Sequence, residues 1–203
     1  MAEAIERGRE GFVHVLVRPR GSGFVYDAAE VETTEADIRF AREAGAGGVV
    51  IGALDGEGRV DTAAVARFVA AAEGIEVTFH RAIDTVADPL ATVDDFVALG
   101  VTRILTSGGA STSVEGVDSL RALAQRVSGR LQVMAGGGVR VEDIPALVAA
   151  GVDAVHLSAR RAVQGAPSGP GGGADAYDIT DPIVVRGAVD ALRQARTRHS
   201  GRR

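Results

Sequence analysis

Two stretches decide the fold: Arg103-Ile104-Leu105-Thr106-Ser107-Gly108-Gly109 and Leu131-Gln132-Val133-Met134-Ala135-Gly136-Gly137-Gly138, separated by the helix-patterned segment Glu115–Val127. Each is a short apolar run that stops at a polar, glycine-rich loop, which is how a buried strand reads when it leads into a helix. The unit recurs along the chain. Val13–Val17 runs into Arg18-Pro19-Arg20, Val77–Phe79 into His80-Arg81, and Ala154–Val155 into His156-Leu157-Ser158, with Gly48–Ile51 as a further strand. Strand, polar loop and helix in alternation predict a parallel α/β architecture. The six strands begin near residues 13, 48, 76, 103, 131 and 154. An eight-unit barrel of about 250 residues allots roughly 31 residues to each unit. The expected fold is therefore a TIM (β/α)8-type barrel with only the last six βα units apparent in this chain, the N-terminal two units missing.

The connecting segments carry helix signals. Thr34 with Asp37 predicts a helix over Glu35–Ala44 closed by Gly45, and Asp61 caps one that runs to about Glu73. Asp88-Pro89 opens a helix that Gly100 closes, and Glu142–Ala150 precedes Gly151. Met1 to about Gly11 reads as the tail of a helix, and Pro182–Arg196 as the last helix, before a basic tail expected to fray. Residues 1–203 form one expected domain, with a mobile Gly/Pro-rich loop at about 164–180.

Composition narrows the chemistry. The chain has 203 residues, 46% hydrophobic, with a net charge of −5. That charge argues against nucleic acid as a partner. No apolar stretch approaches the roughly 20 residues of a membrane span, and the N-terminus has no signal-peptide core, so a cytoplasmic location is expected. The chain contains no Cys, Lys, Asn or Trp, and all 22 basic residues are Arg. Schiff-base chemistry on lysine, thiolate catalysis, disulfides and cysteine metal sites are excluded.

In a parallel barrel, residues at strand C-termini meet at one mouth. Arg18 and Arg20, two apart, are expected to share a face and bind a carboxylate or phosphate. His80, Arg81 and Asp84 place an imidazole beside a cation and a carboxylate, a catalytic acid/base candidate. Ser107, Gly108 and Gly109, and Gly136, Gly137 and Gly138, form loops whose backbone amides can approach an anion. His156 and Ser158 share a face of the last strand, while His14 is expected in the core. Asp55, Glu57 and Asp61 read as turn and cap residues. A small anionic ligand is the expected partner.

Together these residues resemble the CutC family. The matching pieces are Val17-Arg18-Pro19-Arg20, Gly52-Ala53-Leu54-Asp55 through Val60-Asp61, Thr78-Phe79-His80-Arg81-Ala82, Asp84, Ile104–Gly109, Met134–Val139 and His156-Leu157-Ser158-Ala159, in family order across roughly residues 12–160. The resemblance implies a TIM barrel, a cytoplasmic location, and a role in copper homeostasis with copper ion binding. It assigns no metal ligands here. Family members usually carry two further βα units before Arg18-Pro19-Arg20, and an acid where this chain has Gly21-Ser22-Gly23-Phe24. Cysteines proposed as copper ligands in some members have no counterpart. Cu(I) selects thiolate and thioether donors. Weak Cu(I) binding is therefore expected, with Cu(II) on His80 or His156 as the metal-based reading.

Three roles are open: a copper-homeostasis protein, a barrel enzyme or binding protein acting on a small anionic (phosphate- or carboxylate-bearing) molecule, and an inactive assembly partner. Six strands shaped for an eight-strand closure would leave two unguarded edges, at Val13–Val17 and Ala154–Ser158. Self-association into a homo-oligomer is expected through them, in a chain shortened at its start.

Overall fold

The computed structural model describes residues 11–166, 169 and 175–200. Six parallel strands pair strictly in chain order: β1 (His14–Leu16), β2 (Gly48–Ile51), β3 (Glu76–Phe79), β4 (Arg103–Thr106), β5 (Gln132–Gly136) and β6 (Ala154–His156). Helices α1 (Ala28–Glu43), α2 (Thr62–Ala72), α3 (Val93–Leu99), α4 (Val117–Val127) and α5 (Ile144–Ala149) connect them. Beyond β6 come an antiparallel pair, β7 (Arg160–Gln164) and β8 (Ala176–Thr180), and the long helix α6 (Pro182–Ser200). This is an α/β half-barrel built on a six-stranded parallel sheet.

The pleat sorts the strand residues onto two faces. One face carries Val49, Ile51, Val77, Phe79, Ile104, Val133 and Ala135, all buried. Against it pack Ile38 and Ala41 of α1, Val65 and Phe68 of α2, Phe96 of α3, Leu120 and Leu123 of α4, and Ile144 and Leu147 of α5. Phe79 and Phe96 meet with ring centroids 4.7 Å apart. Truncating a buried phenylalanine of this kind costs about 3–5 kcal/mol. The other face, with Leu16, Val50, Leu105 and Met134, is concave and only partly covered.

The elements depart from the sequence expectation at several places. Helix α1 begins at Ala28, not Glu35. Its capping box is Asp27 with Glu30, where each side chain takes the other residue's backbone N–H. The Thr34 hydroxyl instead donates to the Glu30 carbonyl inside the helix. Helix α3 begins at Val93, because Asp88 caps only a turn through Ala91 N–H. Strand β8 lies inside the segment expected as loop at about 164–180 and pairs with β7 at its start, where Arg160 of β7 meets Asp178 of β8. The helix expected over the first residues, the centre of the Gly/Pro-rich segment and the basic tail lie outside the described residues.

Among the described residues β1 and β6 each have one strand neighbour. Strand backbone left unpaired at a sheet edge is a template for another chain. The chain is expected to self-associate in sedimentation at micromolar concentration, and a monodisperse monomer would reject that expectation.

Candidate functional site

The concave face holds a cavity of about 480 Å³ lined by residues of every strand of the sheet. Arg18, His80, Arg81 and His156 all line it, so four residues expected at the barrel mouth do come together.

His80 is the best-fixed of them. It follows β3, is 7% exposed, and caps the turn Arg81–Thr85 by accepting the Ala82 N–H at its Nδ1, 3.1 Å away. That bond leaves the proton on Nε2, which is buried with no hydrogen-bond partner. Burial and then the nearby Arg18 charge push the imidazole down to about 4, from an ordinary value of 6.5. His80 is therefore a neutral, fixed N–H donor at physiological pH. Gly52 makes room for it, since a Cβ there would lie 2.3 Å from His80 Cε1.

Arg18 stands over the Phe24 ring at 4.7 Å, and that ring lies 5.0 Å from the imidazole. Its Nη2 donates to the carbonyls of Ser22 and Gly23, while its Nε is buried without a partner. Arg20 does not line the cavity. It pairs with Glu30, donates to the Val25 carbonyl at 2.8 Å and lies over Tyr26. The shared face expected of Arg18 and Arg20 requires a continuing strand, but β1 ends at Leu16.

Asp84 gathers the neighbouring loop. Its carboxylate accepts Arg81 Nε at 2.7 Å, the Thr106 hydroxyl, the Ser107 N–H at 3.1 Å and the Gly109 N–H at 3.3 Å. The Gly108 N–H goes to Thr106 Oγ1. The amides expected to cradle a foreign anion at Ser107–Gly109 are thus taken by the chain's own groups, Ser107 and Gly109 by the Asp84 carboxylate and Gly108 by Thr106. Arg81 also donates to the Ser107 hydroxyl at 3.0 Å. Asp84 holds Arg81 in place.

Glycines 136–138 provide clearance. A Cβ on Gly137 would stand 3.0 Å from the Arg81 guanidinium carbon, and one on Gly136 2.4 Å from Leu105 Cδ1. The Gly137 carbonyl accepts the Ser113 N–H at 2.8 Å. Ser158 is exposed, does not line the cavity, and its carbonyl accepts the Arg160 N–H.

The cavity floor was not foreseen. His14, expected in the core, lines the cavity with its Nε2 3.7 Å from Glu76, which also pairs with Arg103 at 2.9 Å. Arg103 in turn donates to Gln132 at 2.8 Å. Thr78, 2% exposed, keeps a hydroxyl without a partner in the same lining. The period-two pattern Glu76, Thr78, His80 was the available signal, since polar residues alternating with buried Val77 and Phe79 mark an inner face.

The sequence profile of the CutC family matches residues 1–161. A family protein CutC of Xanthomonas axonopodis pv. citri is 42% identical over 90% of this chain and 78% of its own length. The crystal structure of CutC from Streptococcus agalactiae, a protein assigned to copper homeostasis, aligns at 32% identity with a TM-score of 0.71, covering 76% of this chain and 75% of its own. An aldolase structure shares the fold alone, at 17% identity and a TM-score of 0.53, over 70% of this chain and 66% of its own.

Two outcomes follow. A His80 that stays neutral when folded but titrates normally when unfolded stabilises the chain fully above about pH 6.5, and that stabilisation is lost as pH falls to about 4. Between about pH 7.5 and about pH 4.5 the loss is roughly 2 to 3 kcal/mol. Urea unfolding should show a steeper decline for the wild type than for His80→Gln, and equal slopes would refute the neutral imidazole. Gly52→Ala should cost about 1–3 kcal/mol by overpacking and displace the His80 ring, visible as a changed imidazole resonance.

Proposed function

The chain belongs to the CutC family, and from that premise we propose that it serves copper homeostasis by binding a small anionic molecule in the concave cavity. The family relationship supports the copper role. The observation that carries the molecular reading is the cavity lining: His80, with a neutral imidazole, and Arg18, which has no carboxylate partner among the described residues, line one space, while Arg81 and Arg103 are paired with Asp84 and Glu76.

Copper as a cargo held directly in this cavity fits less well. The chain has no cysteine, and among the described residues no group of three or more His, Cys, Asp or Glu side chains is placed to hold a metal. His80 offers no lone pair, because Nδ1 is spent on the Ala82 N–H and Nε2 bears the proton. His14 faces Glu76. That leaves His156 and the thioether of Met134 in the lining.

In this reading Arg18 and His80 bind the anion, while Arg81, held by Asp84, completes the lining. The exposed His156, at the end of β6, lies at the same cavity. The cytoplasm is the proposed location. Among the described residues no helix is long and apolar enough to cross a membrane.

The test is a pair of titrations on the full chain. In competition with a nanomolar Cu(I) chelator the chain should leave the metal with the chelator. A thermal-shift screen of phosphate- and carboxylate-bearing molecules should raise the melting temperature for at least one class, since a ligand bound only by the native state stabilises it. Stripping Cu(I) from the chelator, with no shift from any anion, would reverse the assignment.

A further inference from the structure

Three residues that line the cavity each carry a buried polar side-chain atom with no hydrogen-bond partner among the described residues: Arg18 Nε, His80 Nε2 and Thr78 Oγ1. Two belong to residues that are 7% and 2% exposed. A buried donor left unsatisfied costs about 1–3 kcal/mol, so this cluster is unfavourable unless an occupant completes it. Arg18 Nε and His80 Nε2 can only donate, and the threonine hydroxyl can do either. The occupant must therefore turn an acceptor surface toward them.

Charge limits the choice further. Arg81 is paired with Asp84 and Arg103 with Glu76. Arg18 has backbone carbonyls as partners and no carboxylate among the described residues. The uncommitted charge of the cluster is thus a single positive one, since His80 adds a donor and no charge. A singly charged acceptor balances it, whereas a phosphate near two negative charges would leave an excess against a low-dielectric wall. The loop amides that could have absorbed that excess, at Ser107 and Gly109, are occupied by Asp84.

Shape supplies the rest. The Phe24 ring lies 4.7 Å from the Arg18 guanidinium and 5.0 Å from the His80 imidazole, a flat apolar surface beside the donors. Leu16, Val50, Leu105 and Met134 continue that apolar surface through the cavity.

We propose that the cavity binds a small monocarboxylic acid, its carboxylate taking hydrogen bonds from Arg18 Nε–H, His80 Nε2–H and the Thr78 hydroxyl, its carbon skeleton lying along Phe24 and the aliphatic lining. This rests on the reading of the cavity as a small-anion site and names its ligand class.

The test uses the full-length chain labelled with nitrogen-15 in its histidines. The probes are benzoate and pyruvate as carboxylates, and inorganic phosphate and glycerol 3-phosphate as phosphates. The expected result is a His80 imidazole that remains the neutral Nε2–H form throughout, with its Nε2 proton moving downfield on addition of a carboxylate and staying put with either phosphate. His80→Phe, which removes the donor, should weaken carboxylate binding at least about tenfold, the worth of one hydrogen bond to a charged group. His80→Gln, whose amide N–H can replace it, should recover most of that loss. If His80→Phe does not fold, the wild-type resonance decides alone. Carboxylate binding that leaves the Nε2 proton unmoved overturns the assignment. Phosphates binding in place of carboxylates would overturn the ligand class and leave the small-anion reading standing. No response to any of the four would remove both.

Discussion

One carboxylate holds the site together. Asp84 lies in the turn after β3, yet its acceptors satisfy the backbone and side chains of the loop after β4, and the same group fixes Arg81. Two consecutive βα loops are thereby locked to each other by charge-assisted hydrogen bonds, the stronger kind. Removing the carboxylate would orphan two N–H groups and a hydroxyl at once. The loop after β4 looks like an anion cradle because it is one, and the anion it holds is internal. Arg81 then faces the cavity with part of its donor set already committed. In the proposed reading the ligand finds its partners elsewhere, on Arg18, His80 and Thr78.

The sheet divides the labour between its faces. Helix-facing residues are apolar and buried, as a parallel sheet requires, so stability resides on one side. The concave side could then take three histidines, three arginines and a threonine without loss of the main core. The glycines follow the same division. Gly52 admits the His80 ring, Gly136 admits Leu105 and Gly137 admits Arg81. Their absent side chains shape the cavity as much as the polar residues that line it.

Much of this was legible in the chain. All six strands of the sheet announced themselves, because their helix-facing residues form unbroken apolar runs ending in polar turns. The start of α1 was not found, because the Asp27 and Glu30 capping box precedes Val31, the helix's first buried residue, while Thr34 further on mimics a cap. The β7–β8 pair was missed because Arg160-Arg161-Ala162-Val163-Gln164 has no apolar alternation and stands beside a glycine-rich stretch. In the candidate site, the meeting of Arg18, His80, Arg81 and His156 was readable and partnership was not. Arg20 and Glu30 are ten residues apart, and Asp84 and Gly109 twenty-five, distances at which no periodicity rule operates. His14 was misjudged because its place near the start of a strand says nothing about which face it takes.

His80 shows how the fold changes the meaning of a residue type. An exposed histidine beside an aspartate would titrate near neutrality and shuttle protons or bind metals. Here the Ala82 N–H claims one nitrogen, and burial beside Arg18 forbids a second proton. What remains is a rigid, uncharged donor that costs nothing to reorganise when a ligand arrives. Such a group favours an acceptor that keeps its own charge, and it discriminates against a cation, metal ions included. The chain is proposed to recognise an organic anion rather than to cage copper because it has no cysteine, and among the described residues its most buried histidine is closed to metals while the arginine beside it has no acidic partner. Its part in copper handling would then run through that molecule.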